Sequence, residues 1–164
     1  MIEVTKADLA DFETIHGLAS RVWPQTYKAI LTEPQVEYMF DMMYSQAAYN
    51  EQITIKNHHF LLAKEDKQFL GFASYELNAR YEITKVHKIY VVPEAQGKGV
   101  GKVLINRIAN LAKKHGNDKL ILNVNRYNTA VKFYQSLGFT KVGEEDIDIG
   151  NGYLMEDYIM QLHL

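Results

Sequence analysis

Apolar residues recur along this chain with two spacings, three-and-four and strict alternation, and the switches between them predict its elements. Ile2 and Val4 alternate with polar neighbours, which suits a short first strand. Asp8 can cap a helix whose apolar positions Phe12, Ile15, Leu18, Ala19 and Val22 form a core-facing stripe, with Pro24 expected to break it after Trp23. Glu33 to Tyr44 predicts a second amphipathic helix, with Val36, Met39, Phe40 and Met43 on one side, and Gln46 to Ile55 a third. His59 to Lys64 and Phe69 to Tyr75 read as strands joined by the polar turn Glu65-Asp66-Lys67, hence a hairpin. Tyr81 to Val92 supplies a central strand and Lys119 to Val124 a short buried one; Tyr127 to Leu137 predicts a helix stopped by Gly138. Thr140 to Ile149 and Tyr153 to Leu162 alternate around Gly150-Asn151-Gly152 as a closing hairpin. No repeat, low-complexity tract or linker interrupts this order, so residues 1–164 are expected to form a single mixed α/β domain.

One stretch carries chemistry beyond packing. The apolar run Ile89, Tyr90, Val91, Val92 is ended by Pro93, and a glycine-rich turn then opens a helix with apolar Val100, Val103, Leu104, Ile108 and Leu111. Gly97, Gly99 and Gly101 remove side chains where backbone must approach a ligand, and the first amides of the helix have no intrahelical partners. Free amides at a positive helix end make a phosphate site. A Walker A loop is excluded, because Gln96 rather than glycine stands five residues before Gly101, and Val103 rather than Ser or Thr follows Lys102. A dinucleotide fingerprint is excluded too: counted from Gly97 its third glycine would be Lys102, and from Gly99 it would be Leu104.

The spacing of Gln96, Gly99 and Gly101 after a strand ending Tyr-Val-x-Pro resembles the acetyl-CoA diphosphate loop of the GNAT superfamily of N-acetyltransferases. About thirty residues on, Asn128, Ala130, Phe133, Tyr134 and then Leu137-Gly138-Phe139 resemble that family's second motif. The resemblance covers roughly residue 60 to the C-terminus. It implies a mixed, mostly antiparallel sheet of about seven strands flanked by helices, and acetyl-CoA as co-substrate. Carried over position by position, it implies that Ile89, Tyr90 and Val91 hold the acetyl oxygen by backbone N–H groups. It likewise implies that Gln96, Gly97, Lys98, Gly99, Val100, Gly101 and Lys102, with Asn123, Asn128 and Phe133, contact the cofactor.

Composition narrows the remaining classes. At 164 residues, 47% hydrophobic and 12% aromatic, the chain can bury a core unaided. It has no cysteine, so disulfides, a thiol nucleophile and a thiolate zinc site are excluded. A net charge of −2 gives no basic face of the kind that dominates nucleic-acid affinity. The N-terminus lacks a leader pattern and no apolar run reaches membrane-spanning length, so a soluble, cytoplasmic protein is expected. His58 and His59 are adjacent rather than three or four apart, and His16, His87, His115 and His163 have no visible ligand partners, so no metal site is expected.

Acetyl transfer requires a neutral amine, a polarised thioester and a proton for the departing thiolate. Tyr134 is the candidate acid: a phenol of pKa about 10 can reprotonate a thiolate whose conjugate acid lies near 8.5. An alkyl ammonium of pKa about 10.4 is neutral about once in 2,500 molecules at pH 7, so deprotonation costs roughly 4 to 5 kcal/mol without help. Many relatives put a glutamate where Asn123 stands, and Asn123 cannot take a proton; a water relay to Glu76 or His87 is the alternative. Trp23, Tyr27 and Tyr38 are expected to border the acceptor, although core packing accounts for any one such aromatic as well. Glu144, Glu145, Asp146, Asp148, Glu156 and Asp157 read first as a solvated acidic face and second as an attraction for a cation, with Asp157 the candidate contact. The segments around Trp23 to Tyr27, Tyr38 to Ser45 and Met155 to Met160 resemble the PaiA-type, polyamine-acetylating branch, which implies a small cationic amine as acceptor. A protein N-terminal or lysine acetyltransferase and a non-catalytic CoA-binding module are the other readings, and exposed hairpins leave a homodimer open.

Overall fold

The computed structural model describes residues 1–164. Seven strands, β1 (Ile2–Ala7), β2 (His59–Glu65), β3 (Gln68–Arg80), β4 (Ile83–Val91), β5 (Lys119–Asn125), β6 (Thr140–Gly150) and β7 (Tyr153–His163), form one sheet in the order β1-β2-β3-β4-β5-β7-β6. Every neighbouring pair is antiparallel except β4 and β5. Five helices complete the fold: α1 (Phe12–Tyr27), α2 (Glu33–Tyr44), α3 (Gln46–Thr54), α4 (Val100–Lys114) and α5 (Ala130–Ser136). No helix is long and apolar enough to cross a membrane.

Local chemistry accounts for most boundaries. Asp8 and Asp11 form a reciprocal capping box at the turn that leads into α1, and Thr32 and Ser45 cap α2 and α3. The closing hairpin turns on Asn151 and Gly152, both at positive φ, as its two-residue loop demands. Gly138, at φ 100°, ends the segment after α5.

Three expectations need correction. Pro24 does not break α1, which runs on to Tyr27. Continuation places Tyr27 one turn beyond Trp23, their ring centroids 4.7 Å apart and both side chains buried, which offsets the one helix hydrogen bond the proline cannot donate. The chain before α5 is turn rather than helix, because the Asn125 side chain captures the Tyr127 amide and the Asn128 side chain that of Ala130. Tyr81 is an exposed turn residue between long β3 and β4, not part of the central strand.

Two irregularities in β4 position everything that follows. Ser74 pairs with Lys88 and Tyr75 with Val86, so His87 is the extra residue of a bulge. The bulge switches the alternation: Thr84 faces Asn117 beyond α4, whereas Lys88 and Tyr90 face the aromatic side chains of α1 and α2. Beyond the bulge, β4 and β5 part. Their parallel pairing covers only Ile83–Val86 against Lys119–Leu122.

Candidate active site

Where β4 and β5 diverge, a cavity of about 800 Å³ opens through the middle of the sheet. Its walls come from α1 and α2 (Trp23, Tyr27, Met39, Tyr44), β4 (Lys85 to Val91), the glycine-rich loop, β5, α5 and the closing hairpin. At one end the backbone of Ile89, Tyr90 and Val91 is paired with β3 on one side and has no strand partner on the side toward β5, the Val91 carbonyl taking only a 3.5 Å hydrogen bond from the Gln96 side chain. Those unpaired peptide groups are the hydrogen-bonding capacity that a ligand entering the gap would meet.

The glycine-rich loop behaves as its composition demands. Gly97 and Gly99 sit at φ 83° and 81°, where any side chain would be strained. The amides of Gly97, Gly99, Val100, Gly101 and Lys102 have no backbone acceptor, whereas those of Gln96 and Lys98 are engaged by Pro93 and Ala95. Five of the seven expected amides are therefore free. A Cβ at Gly101 would come within 2.9 Å of the Phe133 ring, so this glycine lets α5 close over the start of α4. Lys98 and Lys102 are exposed and stand outside the cavity lining, placed to meet outward-facing anionic groups.

Tyr134 is 6% exposed, lines the cavity, and its hydroxyl makes no hydrogen bond within the protein. Burial pushes its phenol above the ordinary value and the nearby Tyr27 adds to this, so the group stays protonated at working pH. Tyr27 itself, raised to about 12 by burial, shares a 2.9 Å hydrogen bond with Tyr90, and the Trp23 indole donates to Tyr44. Trp23 and Tyr27 are thus a rigid aromatic wall. Tyr38 lies outside the cavity: its hydroxyl donates to the Ile149 carbonyl at 2.7 Å and its ring packs on Tyr153, tying α2 to the closing hairpin.

On the acceptor side, Asp157 is 3% exposed and opposite Glu145 in the β6–β7 ladder. The Asn123 amide nitrogen donates to both, at 3.3 and 3.2 Å. Burial raises the Asp157 carboxyl, and the Glu145 charge adds to that against the Asn123 hydrogen bond. The side-chain nitrogen of Asn123 is thus engaged by the two carboxylates, while the residue lines the cavity. Asn128 Oδ1 accepts from Ala130 and holds the turn before α5.

Deeper on β4, His87 Nε2 lies 2.9 Å from Glu76 Oε1, and His58 stacks on His87 with centroids 3.8 Å apart. Only His87 of the three lines the cavity. Sequence spacing missed this grouping because strand pairing, not local spacing, brings residues 58, 76 and 87 together. Gln35, Met39, Met43, Leu154 and Met155 also escaped as lining residues; their apolar stripe reads as core, and only the hairpin's return over α2 exposes them to the cavity.

A split β-sheet with a free strand edge, a loop of five free amides at a helix start and a buried phenol beside the gap thus surround one cavity, suited to a phosphate-bearing ligand that extends into the sheet. The family model described as Acetyltransferase (GNAT) domain matches residues 27–162, and the chain belongs to that family. It is accordingly an acetyl-CoA-dependent N-acetyltransferase. It is similar to the spermidine N(1)-acetyltransferase of Thermoplasma acidophilum, 31% identical over 160 residues covering 94% of this chain and 96% of that one. The PaiA N-acetyltransferase of the same organism, solved in complex with coenzyme A, superimposes with a TM-score of 0.83 at 28% identity, covering 100% of this chain and 99% of that one. The L-amino acid N-acyltransferase MnaT of Escherichia coli is 27% identical over 125 residues, 73% of each chain.

Proposed function

We propose that the protein moves the acetyl group of acetyl-CoA onto a primary amine of a small cationic acceptor of polyamine type, by direct attack. The observation that carries this reading is Asp157, a buried carboxylate at the wall of a cavity also lined by Lys85, His87 and Lys88; it makes no salt bridge and is backed by Glu145 on the same Asn123 amide. A buried negative charge without a cationic partner is costly, and an incoming ammonium supplies that partner. The similarity to the spermidine acetyltransferase supports the same choice.

In this reading the amides of Gly97 and Gly99 to Lys102 hold the diphosphate, with Gln96 and Phe133 at its flanks. The unpaired edge of Ile89 to Val91 polarises the thioester carbonyl as charge develops on its oxygen. The attacking nitrogen loses its proton through water to His87, whose Nε2–H donates to Glu76 and whose Nδ1 is left as acceptor. Burial, then the charges of Lys85, Lys88 and Lys56, hold His87 down at about 3, so the imidazole is neutral but a weak base, and it relays the proton rather than keeping it, Nδ1 accepting as the Nε2 proton passes to the Glu76 carboxylate. Tyr134 donates a hydrogen bond to the sulfur. Full proton transfer from a phenol above pKa 10 to a thiolate near 8.5 is uphill by roughly 2 kcal/mol or more, so its contribution lies in stabilising the developing charge. Trp23, Tyr27 and Asp157 hold the acceptor.

Thiol release assayed over spermidine, shorter diamines and peptide N-termini tests the acceptor. Spermidine is expected to be turned over, and Asp157→Asn to raise its KM roughly 10- to 100-fold with the acetyl-CoA KM unchanged, the worth of one hydrogen bond to a charged group. Robust turnover of peptide N-termini with none of spermidine overturns the proposal.

A further inference from the structure

The triad beneath the cavity contains an anomaly. His58 is side-chain buried, 9% exposed, yet its Nε2 stands 4.0 Å from Glu76 Oε1, too far for a hydrogen bond, and has no other partner; Nδ1 is unpartnered as well, and an ion held at Nε2 leaves it so. Buried imidazoles are ordinarily satisfied, and an exception asks for a missing partner. From the geometry we infer that His58, Glu76 and His87 form a binding site for one divalent transition-metal ion, with zinc the best fit.

The side chains come from the adjacent strands β3 and β4 and from the residue that precedes β2. His58 leads into β2 directly after Asn57, which holds a positive φ; Glu76 lies on β3; His87 is the bulge residue of β4. Their candidate ligand atoms all lie within 4.8 Å of one another. Tetrahedral zinc, about 2.0–2.1 Å from each donor, sets donor-to-donor separations of about 3.3 Å. His87 Nε2 to Glu76 Oε1 must open slightly from 2.9 Å, and His58 Nε2 to the same oxygen must close from 4.0 Å. Both movements are under an ångström. The rings, stacked at 18°, must also tilt apart so that their lone pairs converge on the ion. Two imidazoles and one carboxylate suit zinc and its neighbours and disfavour magnesium or calcium, and a fourth position is left for water. Lys56, Lys85 and Lys88 stand near the cluster and oppose a cation, which places the expected affinity in the micromolar rather than nanomolar range.

A bound ion would use Nε2 of His87 and the Glu76 carboxylate, the same pair proposed above to take the acceptor's proton, and would force the proton of His87 onto Nδ1. Zinc occupancy is therefore expected to suppress acetyl transfer, a consequence that rests on that proposed relay, whereas binding itself does not. Metal-stripped, tag-free protein titrated with zinc chloride in a calorimeter should bind one ion. His58→Ala and Glu76→Gln, each checked for an unchanged thermal transition without metal, should weaken binding by roughly 10- to 100-fold or more, since even an outer partner of a metal ligand is worth that much. Absence of zinc binding, or equal binding by wild type and both variants, overturns the site. In the parallel assay, zinc should lower turnover and a chelator restore it; binding without inhibition keeps the site and refutes the relay.

Discussion

Replacing Tyr134 by Phe separates a catalytic role from a structural one, because the structure assigns opposite outcomes to activity and stability. The ring packs on Phe133 and Phe139, with centroids 5.4 and 5.6 Å away, and those contacts survive the substitution. Its hydroxyl has no hydrogen-bond partner inside the protein and the residue lines the cavity, so removing it strands no donor or acceptor. Stability should therefore be unchanged or slightly increased, within about 1 kcal/mol. Activity should fall by roughly two to three orders of magnitude, equivalent to about 2.7–4 kcal/mol of lost transition-state stabilisation. The loss should appear in kcat, with the acetyl-CoA KM nearly unchanged, because the oxygen is called on only as the sulfur gains charge. Since burial raises the phenol, wild-type rates should show no alkaline decline assignable to Tyr134 in the neutral range. Steady-state thiol release and a thermal melt of the same preparation decide it. A variant within about threefold of wild type in kcat would sink the assignment, and a large loss of stability would show that the hydroxyl has a structural partner after all.

Two further outcomes follow. The double variant Glu76→Gln, His87→Ala should lower kcat by roughly a hundredfold with the acetyl-CoA KM unchanged, and an unaltered kcat removes that pair from the reaction. Lys88 is 8% exposed, its ammonium held by Gln52 at 3.0 Å beside the Tyr44 and Phe60 rings, and burial lowers it from 10.5 to about 8. Between those values the unfolded chain binds the extra proton, so this group's contribution to stability rises with pH, by up to about 1.4 kcal/mol per unit. Urea unfolding across that window should show the slope in wild type and its loss in Lys88→Met; parallel curves refute the burial argument.

What the sequence disclosed and what it withheld divide along physical lines. Helix caps, glycine turns and strand alternation are local, and from them α2, the closing hairpin and the glycine-rich loop were legible almost to the residue, whereas β3 runs on past its expected end at Tyr75 to Arg80. The free amides of the glycine-rich loop were legible because glycine spacing and the helix start lie within a few residues. Pro24 was misread because the gain from burying Tyr27 against Trp23 is tertiary, and no local rule contains it. Tyr38 was misread for the same reason: its carbonyl partner, Ile149, lies on the far hairpin. The His58, Glu76 and His87 cluster was invisible because it depends on register across three strands and on a bulge that no residue type announces.

That bulge is the feature from which the site derives. An extra residue in β4 sharpens the strand's twist and turns it away from β5 after four paired residues. Were β4 regular, its parallel pairing could continue past Val86, closing the gap and engaging the peptide groups of Ile89 to Val91 with β5. The same insertion reverses the alternation, so that Lys88 and Tyr90 turn toward the helices while His87 stays beside Glu76. A sheet that is complete satisfies its own backbone; this one leaves a stretch of central strand unpaired in its interior, where polar groups are costly unless a partner arrives. Binding capacity here is thus a deficit in the sheet's own hydrogen bonding, and the loop, the phenol and the carboxylate pair are arranged around it.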